Sequence, residues 1–210
     1  MDSFAQGLRQ IKIVYFWWIM NHCSGCLLET SILKQSPALS GKIKIAVECD
    51  KPAFSEKHVW FYSKYSSFTL RALNKISFQK FLSFMLTFEN IKQTNVNSVD
   101  VEVFPIRGEN GRFIAGKCNT LSGRIRIYPK PMKFCVAFSK EFGKSILFKY
   151  AGNRARAALI HELLHLKYAN NEEKVQELTK AYFSTYTKKQ LAKRPTAPSM
   201  YNLIFDAKKF

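Results

Sequence analysis

The sequence predicts an α+β fold in three parts. Residues 1–98 form an N-terminal α/β domain of unknown type, 99–187 a C-terminal domain with a small sheet and two helices, and 188–210 a basic tail. Three observations carry this. Short alternating segments at 42–47 and 123–128 have the period of half-buried strands. Longer segments at 66–89, 155–168 and 172–186 repeat apolar residues every three or four positions, as helices do. A polar stretch rich in turn formers, 90–98, separates the two groups and sets a soft boundary.

In chain order, residues 11–20 read as a buried strand because the run from Ile13 to Met20 is almost wholly apolar and aromatic. Lys42-Ile-Lys-Ile-Ala-Val47 alternates and reads as a second strand. Residues 66–89 carry a stripe of Phe68, Ala72, Ile76, Phe78, Phe81, Leu82, Met85 and Phe88 and read as a helix packed on a core. Strands follow at 101–106, 112–115 and 123–128, the first two divided by the turn Gly108-Glu-Asn-Gly111 and the last stopped by Pro129. Residues 134–150 fit either two short strands or a strand and a helix. Gly152 and Asn153 punctuate the chain, with Asn153 as N-cap of a helix over 155–168. Asn170 and Asn171 break that helix, and another runs from about 172 to 186.

Composition narrows the classes. The chain has 210 residues, 47% of them hydrophobic, which argues against a disordered chain despite a net charge of +18. The excess is uneven: +5 over residues 1–100 and +13 over 101–210. Such a surface is either simply solvated or attracts nucleic acid, anionic lipid or acidic peptide. Five cysteines, an odd and sparse set, argue against a secreted disulfide framework and for a reducing compartment. The run 13–20 is far short of the roughly 20 residues that cross a bilayer. Arg9 and Lys12 precede it as in a signal peptide, but Trp17, Trp18 and the lack of a small-residue cleavage site favour the strand. The expected home is the cytoplasm.

The chemistry is concentrated in His161-Glu-Leu-Leu-His165, an H-E-x-x-H motif inside the expected 155–168 helix. Histidines at i and i+4 share one helical face, so two imidazoles can converge on one Zn²⁺. Glu162, beside the first histidine, can accept a proton from zinc-bound water and pass it to a leaving group. A catalytic zinc needs a third protein ligand and an open position. The other histidines, His22 and His58, lie far upstream, and the acids downstream are Glu172, Glu173, Glu177 and Asp206. Two helices joined near residue 170 form an antiparallel hairpin that sets His165 opposite about residue 173 and His161 opposite about 177. At about 100° per residue, Glu173 and Glu177 lie about 40° apart on one edge of the second helix. Glu173 is therefore the expected third ligand. Glu177 is the expected acceptor for a ligand histidine's other N–H.

The stretch from His161 to Thr179 resembles the gluzincin metallopeptidases, most closely the small single-domain minigluzincins, and the likeness extends over about residues 112–187. Gluzincins commonly follow the ligand glutamate four residues later with an acid, a pattern matched by Glu173 and Glu177. The resemblance implies a zincin-like domain, one Zn²⁺ per chain and hydrolysis of a peptide or protein substrate. It also implies an edge strand, here Ile125, Arg126, Ile127 and Tyr128, that pairs with the extended substrate. Such enzymes usually add a His or Tyr for the oxyanion, for which Tyr168, Tyr182 and Tyr186 are candidates.

Weaker signals leave alternatives. Cys23-Ser-Gly-Cys26 reads as unremarkable thiols, a redox pair or half a metal site. Cys118 is a buried small hydrophobe or a thiolate that blocks the zinc. The tail is an inhibitor, a tether or packing. The competing function is a basic, nucleic-acid-associated binding protein whose zincin site is structural or latent.

Overall fold

The computed structural model describes residues 36–46, 55–192 and Ile204. The expected strand at 11–20, Cys23 and Cys26 lie outside them, as does most of the tail. The described residues form an α+β fold with one small mixed sheet and five helices. None of these helices is long and apolar enough to cross a membrane.

The first strand, β1 (Ile43–Ile45), lies within the expected 42–47 segment and follows a turn that Gly41 makes at φ 77°. The stripe at 66–89 is divided between two helices, α1 (Glu56–Leu73) and α2 (Ile76–Phe88). The break falls at Asn74 and Lys75, where Lys75 turns extended. Carbonyls left over at the end of α1 find side chains instead of a continuing helix. Gln79 donates to Leu73 O, and Arg156 donates to Ala72 O from both Nε and an Nη.

Strand β2 (Ser98–Val101) begins where the sequence sets its soft boundary. It pairs in parallel with β1, so strands from both sides of residue 98 share one sheet, and side chains from both sides share one core. The expected strand at 112–115 is reduced to a bridge between Arg107 and Phe113. Beyond it are β3 (Gly116–Asn119), which the sequence analysis does not anticipate, and β4 (Arg124–Ile127), which it does. The order is β1-β2-β4-β3, with β4 parallel to β2 and antiparallel to β3.

That order corrects the expected substrate strand. Ile125, Arg126 and Ile127 belong to β4, which has a neighbour on each side, and Ile125 and Ile127 are fully buried. The backbone of Tyr128 is also committed: its N–H donates to Ala115 O and its carbonyl accepts from Arg154. Among the described strands β3, not β4, is the outermost beside the H-E-x-x-H helix.

The ambiguous 134–150 region is wholly helical. It holds α3 (Met132–Phe142) and the start of α4 (Lys144–Tyr168), joined at Gly143 with φ 87°. Gly152 and Asn153 therefore lie inside α4 and not at its start. Gly152 is there for a close crossing, since a Cβ on it would sit 3.0 Å from the Ala72 Cβ of α1. Asn153 accepts a hydrogen bond from Arg156. Helix α4 ends at Ala169, in the left-handed region at φ 45°. Asn171 then accepts from Lys174 N–H, capping α5 (Glu172–Ala192), which runs beyond the expected 186 into the region assigned to the tail.

One ion cluster ties this helical hairpin to the rest. Glu89, the residue after α2, is 4% exposed. It accepts from Lys167 and Tyr168 at the end of α4 and from Tyr182 of α5, at 2.8, 2.8 and 2.5 Å. The hydrogen bonds outweigh burial, which alone would raise its pKa, and hold the carboxyl below its ordinary value.

Candidate metal centre

His161 and His165 stand one turn apart on α4, with ring centroids 4.7 Å apart and their Nε2 atoms 3.1 Å apart. The hairpin brings a carboxylate to the same point. Glu172 Oε1 lies 3.6 Å from His161 Nε2 and Glu172 Oε2 lies 3.4 Å from His165 Nε2. These three residues form a group that could hold a metal ion.

The acid brought to the histidines is Glu172, not the expected Glu173. The cap at Asn171 starts α5 at Glu172, so its first residue already faces back across the hairpin. The buried positions of α5 are Val175, Leu178, Thr179, Tyr182, Phe183 and Tyr186. At about 100° per residue, Glu172 lies about 50° from the centre of that stripe, and Glu173 and Glu177 about 150° and 170° away. All three acids are exposed; only Glu172 turns toward the histidines, while Glu177 pairs with Lys174 at 2.7 Å.

The second nitrogens of the histidines have neutral partners. His165 Nδ1 lies 2.6 Å from Ala169 O, a carbonyl, so Nδ1 carries the proton and Nε2 its lone pair. His161 Nδ1 lies 3.4 Å from Thr179 Oγ1. The Thr179 hydroxyl donates to Val175 O at 2.7 Å, leaving its oxygen to accept from the imidazole. Thr179, 4% exposed, thus has the place expected for Glu177. Burial lowers the His161 pKa, Glu172 opposes this, and His165 adds to it, so the ring favours the neutral form that ligates metals.

Glu162 turns toward β3. It is 6% exposed, and a Cβ on Gly116 would meet its Oε1 at 2.6 Å. The carboxylate accepts a hydrogen bond from the Cys118 backbone N–H. Burial, with a smaller contribution from the charge of Glu172, still pushes its pKa up to about 7. The Cys118 thiol, pushed up to about 12 by burial and by Glu162, is not in the metal-holding group. Tyr168 and Tyr182 donate their hydroxyls to Glu89, and the ring of Tyr186 packs on Phe78 and Phe81. All three candidate oxyanion tyrosines are thereby engaged in helix packing.

The sequence does not single out Glu172 from the other downstream acids, and it does not point to Thr179 or Gly116. The signal for the first two is the period of the α5 stripe, which Thr179 belongs to and Glu172 borders. Gly116 gives none, since only the fold reveals what lies against it.

No family model matches this chain, and no curated protein or solved structure does either.

Proposed function

We propose that this protein is a zinc-dependent peptidase in which His161, His165 and Glu172 hold the metal and Glu162 is the general base. The observation that carries the proposal is the convergence of three side chains: the two Nε2 atoms are 3.1 Å apart, and the Glu172 carboxylate reaches one with Oε1 at 3.6 Å and the other with Oε2 at 3.4 Å. Tetrahedral bonds of about 2.0–2.2 Å give donor separations of about 3.3–3.6 Å; the two contacts of Glu172 fall in that range and the Nε2 pair lies slightly inside it, so small side-chain shifts would seat one zinc ion. Two neutral imidazoles and one carboxylate are also a donor set that zinc accepts while keeping a position open.

A zinc ion held there would act as a Lewis acid toward a water and a scissile carbonyl. The protein's own groups do the rest. Thr179 and Ala169 fix the histidine tautomers, so both Nε2 lone pairs point the same way. Glu162 takes a proton from the attacking water on its carboxylate and delivers it to the departing amine nitrogen. Burial raises this carboxyl in the metal-free protein, and a zinc ion beside it would lower it toward the ionised base that the first half of the transfer needs. The Cys118 N–H and the bare Cα of Gly116 hold that carboxylate in place.

β3 is suited to hold the substrate. In its register with β4, Ala115 O accepts from Tyr128 N–H, so residues 115, 117 and 119 make the ladder bonds. Gly116 and Cys118 turn their backbone groups to the other side, where no described strand pairs with them. The Gly116 N–H and C=O and the Cys118 C=O can thus bind an extended peptide laid along the edge. The test is Glu162→Ala: hydrolysis of a casein or peptide-library substrate falls by about two to four orders of magnitude with one zinc per chain retained. Undiminished hydrolysis in that variant excludes the mechanism.

A further inference from the structure

The edge beside Glu162 has a distinct charge pattern. Cross-strand partners lie on the same face of a sheet. Lys44 of β1, Asp100 of β2, Arg126 of β4 and Lys117 of β3 therefore form one row, and Ser98, Arg124 and Asn119 the next. On the opposite face lie the buried Val99, Val101, Ile125 and Ile127. Two of the cations have internal partners: Arg124 meets Asp100 at 2.5 Å and Arg126 meets Glu102 at 3.5 Å. Their side chains remain 47% and 45% exposed. Lys117, on the outermost strand, makes no ion pair among the described residues, and its direct cross-strand partner is another cation, Arg126.

Like charges directly opposite one another weaken a sheet. A lysine on an edge strand is useful by itself as a guard against self-pairing. That role accounts for Lys117, and Asp100 and Glu102 engage the arginines, but the row still presents Lys117 beside a half-exposed Arg126. The arrangement suits an anionic side chain arriving from the open side of β3.

Resting on the peptidase proposal, we propose that Lys117, backed by Arg126, selects substrates with an acidic side chain at the residue that pairs with Lys117. The register gives this contact its reach. Lys117 lies between Gly116 and Cys118, whose backbone groups face the incoming strand. A residue added opposite Lys117 therefore occupies a non-hydrogen-bonded position, where side chains approach most closely. Neighbouring substrate residues point to the other face, toward Glu162 and the metal ligands. The favoured substrate is thus an extended peptide with Asp or Glu opposite Lys117, the residues on either side of it facing the catalytic groups.

The test uses fluorescent decapeptides with Glu, Gln or Lys on alternate positions and measures both binding and cleavage. Binding is read by anisotropy on the zinc-loaded Glu162→Ala protein, and cleavage sites on the unmutated protein by mass spectrometry. Glu peptides should bind more tightly than Lys peptides by roughly 3- to 30-fold, the range given by one or two cross-strand charge pairs. In Lys117→Glu the order reverses. In Lys180→Glu, which makes the same change in net charge on exposed α5, the order stays. A flat ranking, or one that Lys117→Glu and Lys180→Glu alter equally, overturns the proposal. So does a duplex 20-mer DNA that binds more tightly than the Glu peptide and loses affinity in Lys117→Glu, since the face then serves nucleic acid. If the ranking and its reversal hold but nothing is cleaved, the acidic-strand site stands and the peptidase function fails. If cleavage proceeds without charge preference, the reverse is true.

Discussion

Gly116 lies so close to Glu162 that a methyl group on its Cα would meet Glu162 Oε1 at 2.6 Å and Cγ at 2.7 Å. One strand residue without a side chain thus fixes where the Glu162 carboxylate, the proposed base, can be. Gly116→Ala should push the carboxylate off its place beside the Cys118 N–H while leaving the three metal donors alone. Overpacking of this kind costs about 1–3 kcal/mol, and loss of an aligned base about 100-fold or more in rate. Thermal unfolding, zinc content and peptide hydrolysis measured together check it. Full activity in Gly116→Ala contradicts the role given to Glu162.

Thr179 is the acceptor through which α5 orients His161. Thr179→Val keeps the shape and removes the oxygen, so zinc affinity should fall by about 10- to 100-fold. Thr179→Ser restores it. Competition with a chelating indicator measures both, and equal affinity in all three proteins removes Thr179 from the site.

Glu89 holds the hairpin through Lys167, Tyr168 and Tyr182. Its folded pKa is depressed below the ordinary 4.5. Its contribution to stability is therefore complete above that value and is lost as pH falls through the lower folded value. Urea midpoints of the unmutated protein should drop below about pH 4.5, and more steeply than those of Glu89→Gln. At pH 7 the variant should be less stable by about 1–3 kcal/mol, because buried donors lose a charged acceptor. Parallel pH profiles of the two proteins would show that Glu89 does not carry this linkage.

The helix bearing His161 and His165 is legible in the sequence because motif and apolar period coincide over 155–168. The acid that meets them is not, because counting residues from an assumed midpoint of the hairpin places Glu173 there. The cap at Asn171 shifts the pairing, and only the burial of Val175, Thr179 and Phe183 reveals which edge of α5 faces α4. Similarly, Arg124-Ile-Arg-Ile127 reads clearly as a strand because one of its faces is fully buried. That same alternation says nothing of how many neighbours β4 has. The true outer strand, Gly116-Lys-Cys-Asn119, contains too few β-forming residues to stand out. Gly152 misleads for a related reason. A glycine that ends a helix and one that lets two helices touch look alike until Ala72 is found beside it.

The central claim is that Glu172 completes the metal site. Its most direct test is zinc content by elemental analysis of the unmutated protein, Glu172→Ala and Glu173→Ala, each purified without chelators and reconstituted with zinc. The account gives about one zinc per chain in the unmutated protein and in Glu173→Ala, and a marked loss in Glu172→Ala. Zinc retained in Glu172→Ala but lost from Glu173→Ala, or no zinc in the unmutated protein, would contradict it.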